Sequence, residues 1–175
     1  MEMIFPIAAF AWAAAGAVFD IHSKRIPNAL SYSGILAGIL LRTILLGRDG
    51  LGTALAGGLI AGGIFFCLFL LRAMGGGDVK LITAVGCMTG PLLALQIIIA
   101  CALAGGVMAI VIMFYKKIAV RTIRNVGELL HFRLVHGPQI HPTLNIDNPA
   151  SIRLPYGVAI AAGALYALVS IFLIR

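Results

Sequence analysis

The chain has 175 residues, of which 61% are hydrophobic and only 11% charged, and its mean hydropathy is +1.07. No water-soluble domain of that length can hide so much apolar surface, so the composition excludes a soluble protein and predicts an all-α integral membrane protein. The net charge of +7 would suggest nucleic acid in a soluble protein, but here most basic residues lie in loops between apolar runs, where they carry a topology signal, and no nucleic-acid partner is expected.

Apolar runs at 3–19, 29–46, 51–71, 79–97, 98–115 and 156–174 predict about six crossings of a hydrocarbon core about 30 Å thick, within a single transmembrane domain spanning residues 1–175. The first run is alanine-rich, no basic segment precedes it, and Asp20 and Lys24-Arg25 follow it, so it reads as a retained helix rather than a signal peptide. Gly90-Pro91 is the obvious breaker between the fourth and fifth runs. It would leave the fourth short of a full span, so the reading places the turn later, at 97–98, or starts that helix within the membrane. Small residues four apart, as in Gly34/Gly38, Gly58/Gly62 and Gly86/Gly90, predict surfaces where helix backbones approach closely. Cys67, Cys87 and Cys101 lie inside apolar runs and read as small core residues.

Ten of the thirteen Lys and Arg residues fall after the first, third and fifth runs, with Arg42, Arg48 and Arg175 on the other side. That asymmetry places the first set in the cytoplasm. The polar stretch of about 116–155 opens with Lys117, Arg121, Arg124, Glu128 and His131 on one helical face and Ile118, Ile123, Val126, Leu129 and Leu130 on the other. This predicts an amphipathic helix in the cytoplasmic interface, its basic face against anionic lipid. Gly137-Pro138, His141-Pro142 and Asn148-Pro149 then break regular structure.

Of six acidic residues, Glu2, Asp49, Glu128 and Asp147 sit where solvation accounts for them, whereas Asp20 and Asp78 adjoin apolar runs on the cytoplasmic side. Asp20 ends the first helix, where the macrodipole disfavours an anion. Asp78 follows Gly75-Gly76-Gly77, a segment that suits close approach of an extended substrate and equally a turn with Asp78 as a helix cap. Two carboxyl groups meeting at a membrane boundary can share one proton, which makes an acid and a base for hydrolysis of a peptide bond. Lys80 reads as an interfacial anchor, and His22, Lys24 and Arg25 either tune Asp20 or set topology.

At this point the residues resemble the type IV prepilin peptidases. Asp20 with Ile26-Pro27-Asn28 is similar to that family's aspartate and downstream Ile-Pro-Asn, and Gly75-Gly76-Gly77-Asp78-Val79-Lys80-Leu81 resembles its Gly-x-Gly-Asp box followed by Lys-Leu. Pro155-Tyr156-Gly157 is similar to its Pro-aromatic-Gly entry to the last helix. The resemblance implies an aspartic endopeptidase of the cytoplasmic (inner) membrane that removes the leader of prepilins or pilin-like proteins on the cytoplasmic side. Asp20 and Asp78 would be its catalytic pair, with Gly75, Gly77, Lys80, Pro27 and Asn28 binding substrate or supporting the site, and with no cofactor or metal. The first cytoplasmic loop is only 20–28 and lacks the paired-cysteine insertion of longer members, so no methyltransferase activity is implied; the short form is similar to Tad/Flp pilus enzymes.

Two other readings compete. A small proton- or cation-coupled transporter would place its acids near the midplane rather than at one boundary. A non-catalytic pilus assembly component would tolerate loss of both aspartates. A metal site built on His131, His136, His141 and Asp147 is disfavoured, because a spacing of five does not align side chains on one helical face.

Overall fold

The computed structural model describes residues 3–137, 139, 144 and 154–173, and among these the only regular elements are six helices. They are α1 (Ile4–Ser23), α2 (Asn28–Leu70), α3 (Gly76–Thr89), α4 (Pro91–Tyr115), α5 (Ala119–His136) and α6 (Tyr156–Leu173). Helices α1, α2, α4 and α6 are long and apolar enough to cross a membrane. Their outer faces carry exposed Ile44, Leu59, Leu92 and Leu103, as lipid contact requires. The chain is a multi-pass membrane protein.

The 43 residues of α2 are two arms. Gly47 has φ 64 and ψ −140, outside the helical region, and the chain doubles back there. Arg42 Nε donates to Thr53 Oγ1 at 3.1 Å, although eleven residues of straight helix would separate them by about 16 Å. A Cβ on Gly34 or Gly38 would strike Ala84 and Met88, while one on Gly62 or Gly58 would strike Thr83 and Cys87, so the arms flank α3 in opposite directions. Arms 28–46 and 48–70 are roughly 28 and 35 Å long, matching the second and third apolar runs.

The break expected at 97–98 is instead at Gly90-Pro91. Gly90 has φ 77, Pro91 opens α4, and residues 97–98 lie inside that helix. α3 is therefore only 14 residues, about 21 Å, too short to cross. Its place in the bundle explains how so short a helix is tolerated: it touches α1, both arms of α2, α4 and α6, and every residue from Ala84 to Thr89 is buried. Its inner end is held by Arg42, only 9% exposed, which donates to the Met88 carbonyl at 3.1 Å and lies 4.7 Å from the centre of the Phe5 ring.

The small-residue spacing is packing, as expected. Gly57 and Gly86 meet backbone to backbone, so that a Cβ on either would run into the other's carbonyl oxygen. Cys87 and Cys101 are core residues, but Cys67 is exposed on the outside of α2. Trp12 is held by packing on Gly34 and by donating to the Leu30 carbonyl at 2.9 Å.

α1, α2 and α4 end alike, each followed within two residues by a basic residue in the left-handed region: Lys24, Arg72 and Lys117, with φ of 52, 56 and 55. α1, the second arm of α2 and α4 all run toward the end of the bundle that holds Asp20 and the start of α3. Basic side chains at three carboxyl termini suit both the helix dipole and a membrane boundary there.

Candidate active site

Three chain segments distant in sequence converge at that end. Asp20 sits in the last turn of α1, half-buried, and its main-chain carbonyl accepts the Lys24 N–H at 2.9 Å. An anion there opposes the dipole of its own helix, and the fold supplies the compensation: the Gly157 N–H, in the first turn of α6, donates to Asp20 Oδ2 at 2.8 Å. A Cβ on Gly157 would lie 3.0 Å from Asp20 Cβ and 3.2 Å from Ala17 Cα, so only glycine brings the amide this close.

Asp78 is the third residue of α3, and its Oδ2 accepts the Gly75 N–H at 3.3 Å. The N-cap position weighed for Asp78 in the sequence is instead taken by Gly75, and Asp78, two residues past the helix start, reaches back to the Gly75 amide. Burial pushes the Asp78 carboxyl up to about 7; the nearby charge of Asp20 adds to the rise and the Gly75 N–H opposes it. Asp78 lies outside the four membrane-crossing helices.

The two motifs pack against each other. A Cβ on Gly77 would lie 3.3 Å from Ile26 Cβ, and Ile26 is buried beneath the glycine run. Pro27, with φ −60, precedes the first turn of α2 and turns the chain back into the bundle. Asn28 Oδ1 accepts from Lys80 Nζ at 2.9 Å, and that ammonium lies 5.0 Å from the centre of the Tyr32 ring. Lys80 therefore ties α3 to α2, a different role from the interfacial anchor read in the sequence. His22 Nδ1 lies 2.9 Å from the Val18 carbonyl of its own helix.

A family model described as the type IV leader peptidase family matches residues 7–110. The chain belongs to the type IV leader peptidase family. It is accordingly a peptidase, and the match spans Asp20, Pro27, Asn28, Gly75, Gly77, Asp78 and Lys80. No curated protein and no solved structure matches the chain. The matched region stops short of α5 and α6, so the Gly157 amide is a contribution that becomes visible only in three dimensions.

Gly157 has a part in the site that the sequence pattern does not suggest, since Pro155-Tyr156-Gly157 reads there only as a helix entry. The one available signal is a glycine in the first turn of a helix, where an exposed amide can serve an anion. Among the described residues there is no group of three metal-ligating side chains. His136 stacks on Phe132, while His141 and Asp147 lie outside the described residues.

Proposed function

We propose that this chain is an aspartic endopeptidase that removes the leader peptide of prepilins or pilin-like proteins, using Asp20 and Asp78 as its catalytic pair. The observation that carries this reading is the convergence at one end of the bundle of two carboxyl groups from different helices, Asp20 at the end of α1 held by the Gly157 N–H and Asp78 at the start of α3 held by the Gly75 N–H. A general base and a general acid acting on one water need that arrangement.

Asp20, held by the Gly157 N–H, acts as the base, and Asp78 as the acid. Asp20 takes a proton from water as the water oxygen bonds to the scissile carbonyl carbon, while Asp78 gives its proton to the carbonyl oxygen. Collapse of the tetrahedral adduct breaks the C–N bond. The departing nitrogen takes up the proton from Asp20, Asp78 recovers its own from the adduct hydroxyl, and the pair is restored. The Gly75 N–H holds Asp78 and Gly77 lets α3 pack on Ile26, so both glycines support the site, and Pro27, Asn28 and Lys80 hold α2 against α3.

The positive side chains at the Asp20 end support a cytoplasmic orientation in the cytoplasmic membrane, the side on which a basic leader would stay. The short loop after α1 favours a form like that of Tad/Flp pilus systems. The test is cleavage of candidate prepilins in detergent or liposomes, with sequencing of the mature N-terminus. Asp20→Asn and Asp78→Asn should each abolish cleavage while the protein stays folded. Retained cleavage in either variant removes that residue from the mechanism.

A further inference from the structure

Helix α5 has no evident task in peptide hydrolysis. Its apolar residues Ala119, Ile123, Val126, Leu130 and Leu134 follow one another by four, three, four and four positions, which draws a single stripe along the helix. The stripe is bare: Ile123 is 68% exposed, Leu130 60% and Leu134 86%. Among the described residues, α5 touches the rest of the bundle only through α4. A soluble protein would bury such a stripe in its own core.

Where α5 starts decides what covers it. α4 is a membrane-crossing helix that ends at Tyr115, and only residues 116–118 separate it from α5. Three residues reach about 10 Å, so the start of the stripe cannot leave the boundary at which α4 emerges. The charge is one-sided there. Lys116, Lys117, Arg121 and Arg124 stand against Glu128 as the one acid between residues 116 and 131. Arg121 and Arg124 lie off the stripe, within reach of headgroups or within a Debye length of them.

We propose that α5 is an anionic-lipid-binding helix that lies in the membrane interface, with its Ile123–Leu134 stripe among the acyl chains and its basic residues on acidic headgroups. Continuity with a membrane helix favours the bilayer over a protein groove as the occupant, and the charge complementarity selects acidic over zwitterionic lipid. Since α5 follows α4 and precedes α6, whose first turn holds Asp20, seating it would also restrain the chain leading into the site.

The experiment uses the full chain in nanodiscs of phosphatidylcholine alone or with one-quarter phosphatidylglycerol. A polarity-sensitive fluorophore is placed by L130C, or by N125C on the polar face, in a C67S background. With acidic lipid, the label at position 130 should shift to the blue and be quenched by aqueous acrylamide several-fold less than in phosphatidylcholine. The label at 125 should stay open in both. R121E/R124E should remove the difference between the two lipids. Equal protection of position 130 in both lipids, or exposure in both, overturns the proposal. So does protection that appears only with two copies per disc, which would assign the stripe to a second chain. Leader cleavage is measured on the same discs, so failure of the lipid arm with cleavage intact leaves the peptidase reading untouched.

Discussion

Gly157→Ala offers the sharpest test of how the site is built, because it adds one methyl group beside the Asp20 carboxylate, proposed as the base, without replacing a titratable group. The new Cβ would lie 3.0 Å from Asp20 Cβ, 3.1 Å from Asp20 Oδ2 and 3.2 Å from Ala17 Cα. Carbon atoms settle at about 3.5–4.0 Å, and Asp20 Cβ and Ala17 Cα are fixed by the α1 backbone, so α6 must retreat by roughly half an ångström. The Gly157 N–H goes with it, stretching a 2.8 Å hydrogen bond to beyond about 3.2 Å, the edge of the useful range. A hydrogen bond to a charged group contributes about 1.5–3 kcal/mol. Losing half or all of it should lower kcat/KM for leader cleavage by roughly 3- to 140-fold, at about 1.4 kcal/mol for each tenfold.

Two further variants separate a site effect from a packing effect. A Cβ at Gly106 meets nothing within 4 Å, so G106A should match the parent. A Cβ at Gly163 would lie 2.6 Å from the Ile97 carbonyl oxygen, so G163A should loosen α6 from α4 away from the carboxyl pair and cost stability more than rate. Cleavage by G157A within twofold of the parent at unchanged melting temperature would refute the reasoning. Parallel losses of rate and stability in G157A and G163A would refute it equally.

Four other expectations follow from the same structure. Asp78 must be protonated to act as the acid, and its carboxyl sits at about 7, so kcat/KM should fall as pH rises through about 7, by up to about tenfold per unit; a profile flat to pH 9 would reverse the acid assignment. The Asp20 charge raises Asp78, so in Asp20→Asn the Asp78 carboxyl band followed by infrared titration should move to lower pH, and no movement would mean the two groups are not coupled. Gly86→Val forces apart the α2–α3 contact at Gly57 and should cost about 1–3 kcal/mol, read as a lower melting temperature in detergent, whereas a similar change at the open Gly63 should not. Arg42→Ala strips the Met88 carbonyl of its donor and should destabilise by about 1.5–3 kcal/mol while leaving the pH profile of cleavage in place; a shifted profile would mean that Arg42 acts on the carboxyl pair.

Much of this protein is local enough to read along the chain. Apolar run length and loop charge are one-dimensional properties, which is why the two arms of α2, the helix α5 and the placing of Asp20 and Asp78 at basic boundaries are legible in the amino-acid order alone. The break at Gly90-Pro91 is equally plain there, but hydropathy argues against it by favouring a full-length fourth span. A 14-residue helix is tolerated in a bilayer only when other helices cover it, and nothing in its own residues reports that cover. Likewise the partner of Asp20 is an amide 137 positions away, on a backbone group common to almost every residue, so no side-chain pattern can announce it. Residue order thus carries the membrane peptidase character and singles out the acids that adjoin apolar runs. That α3 is a short helix sheathed by its neighbours, and that α6 supplies the amide holding Asp20, emerges only on folding, because both depend on close approach between helices far apart in the chain.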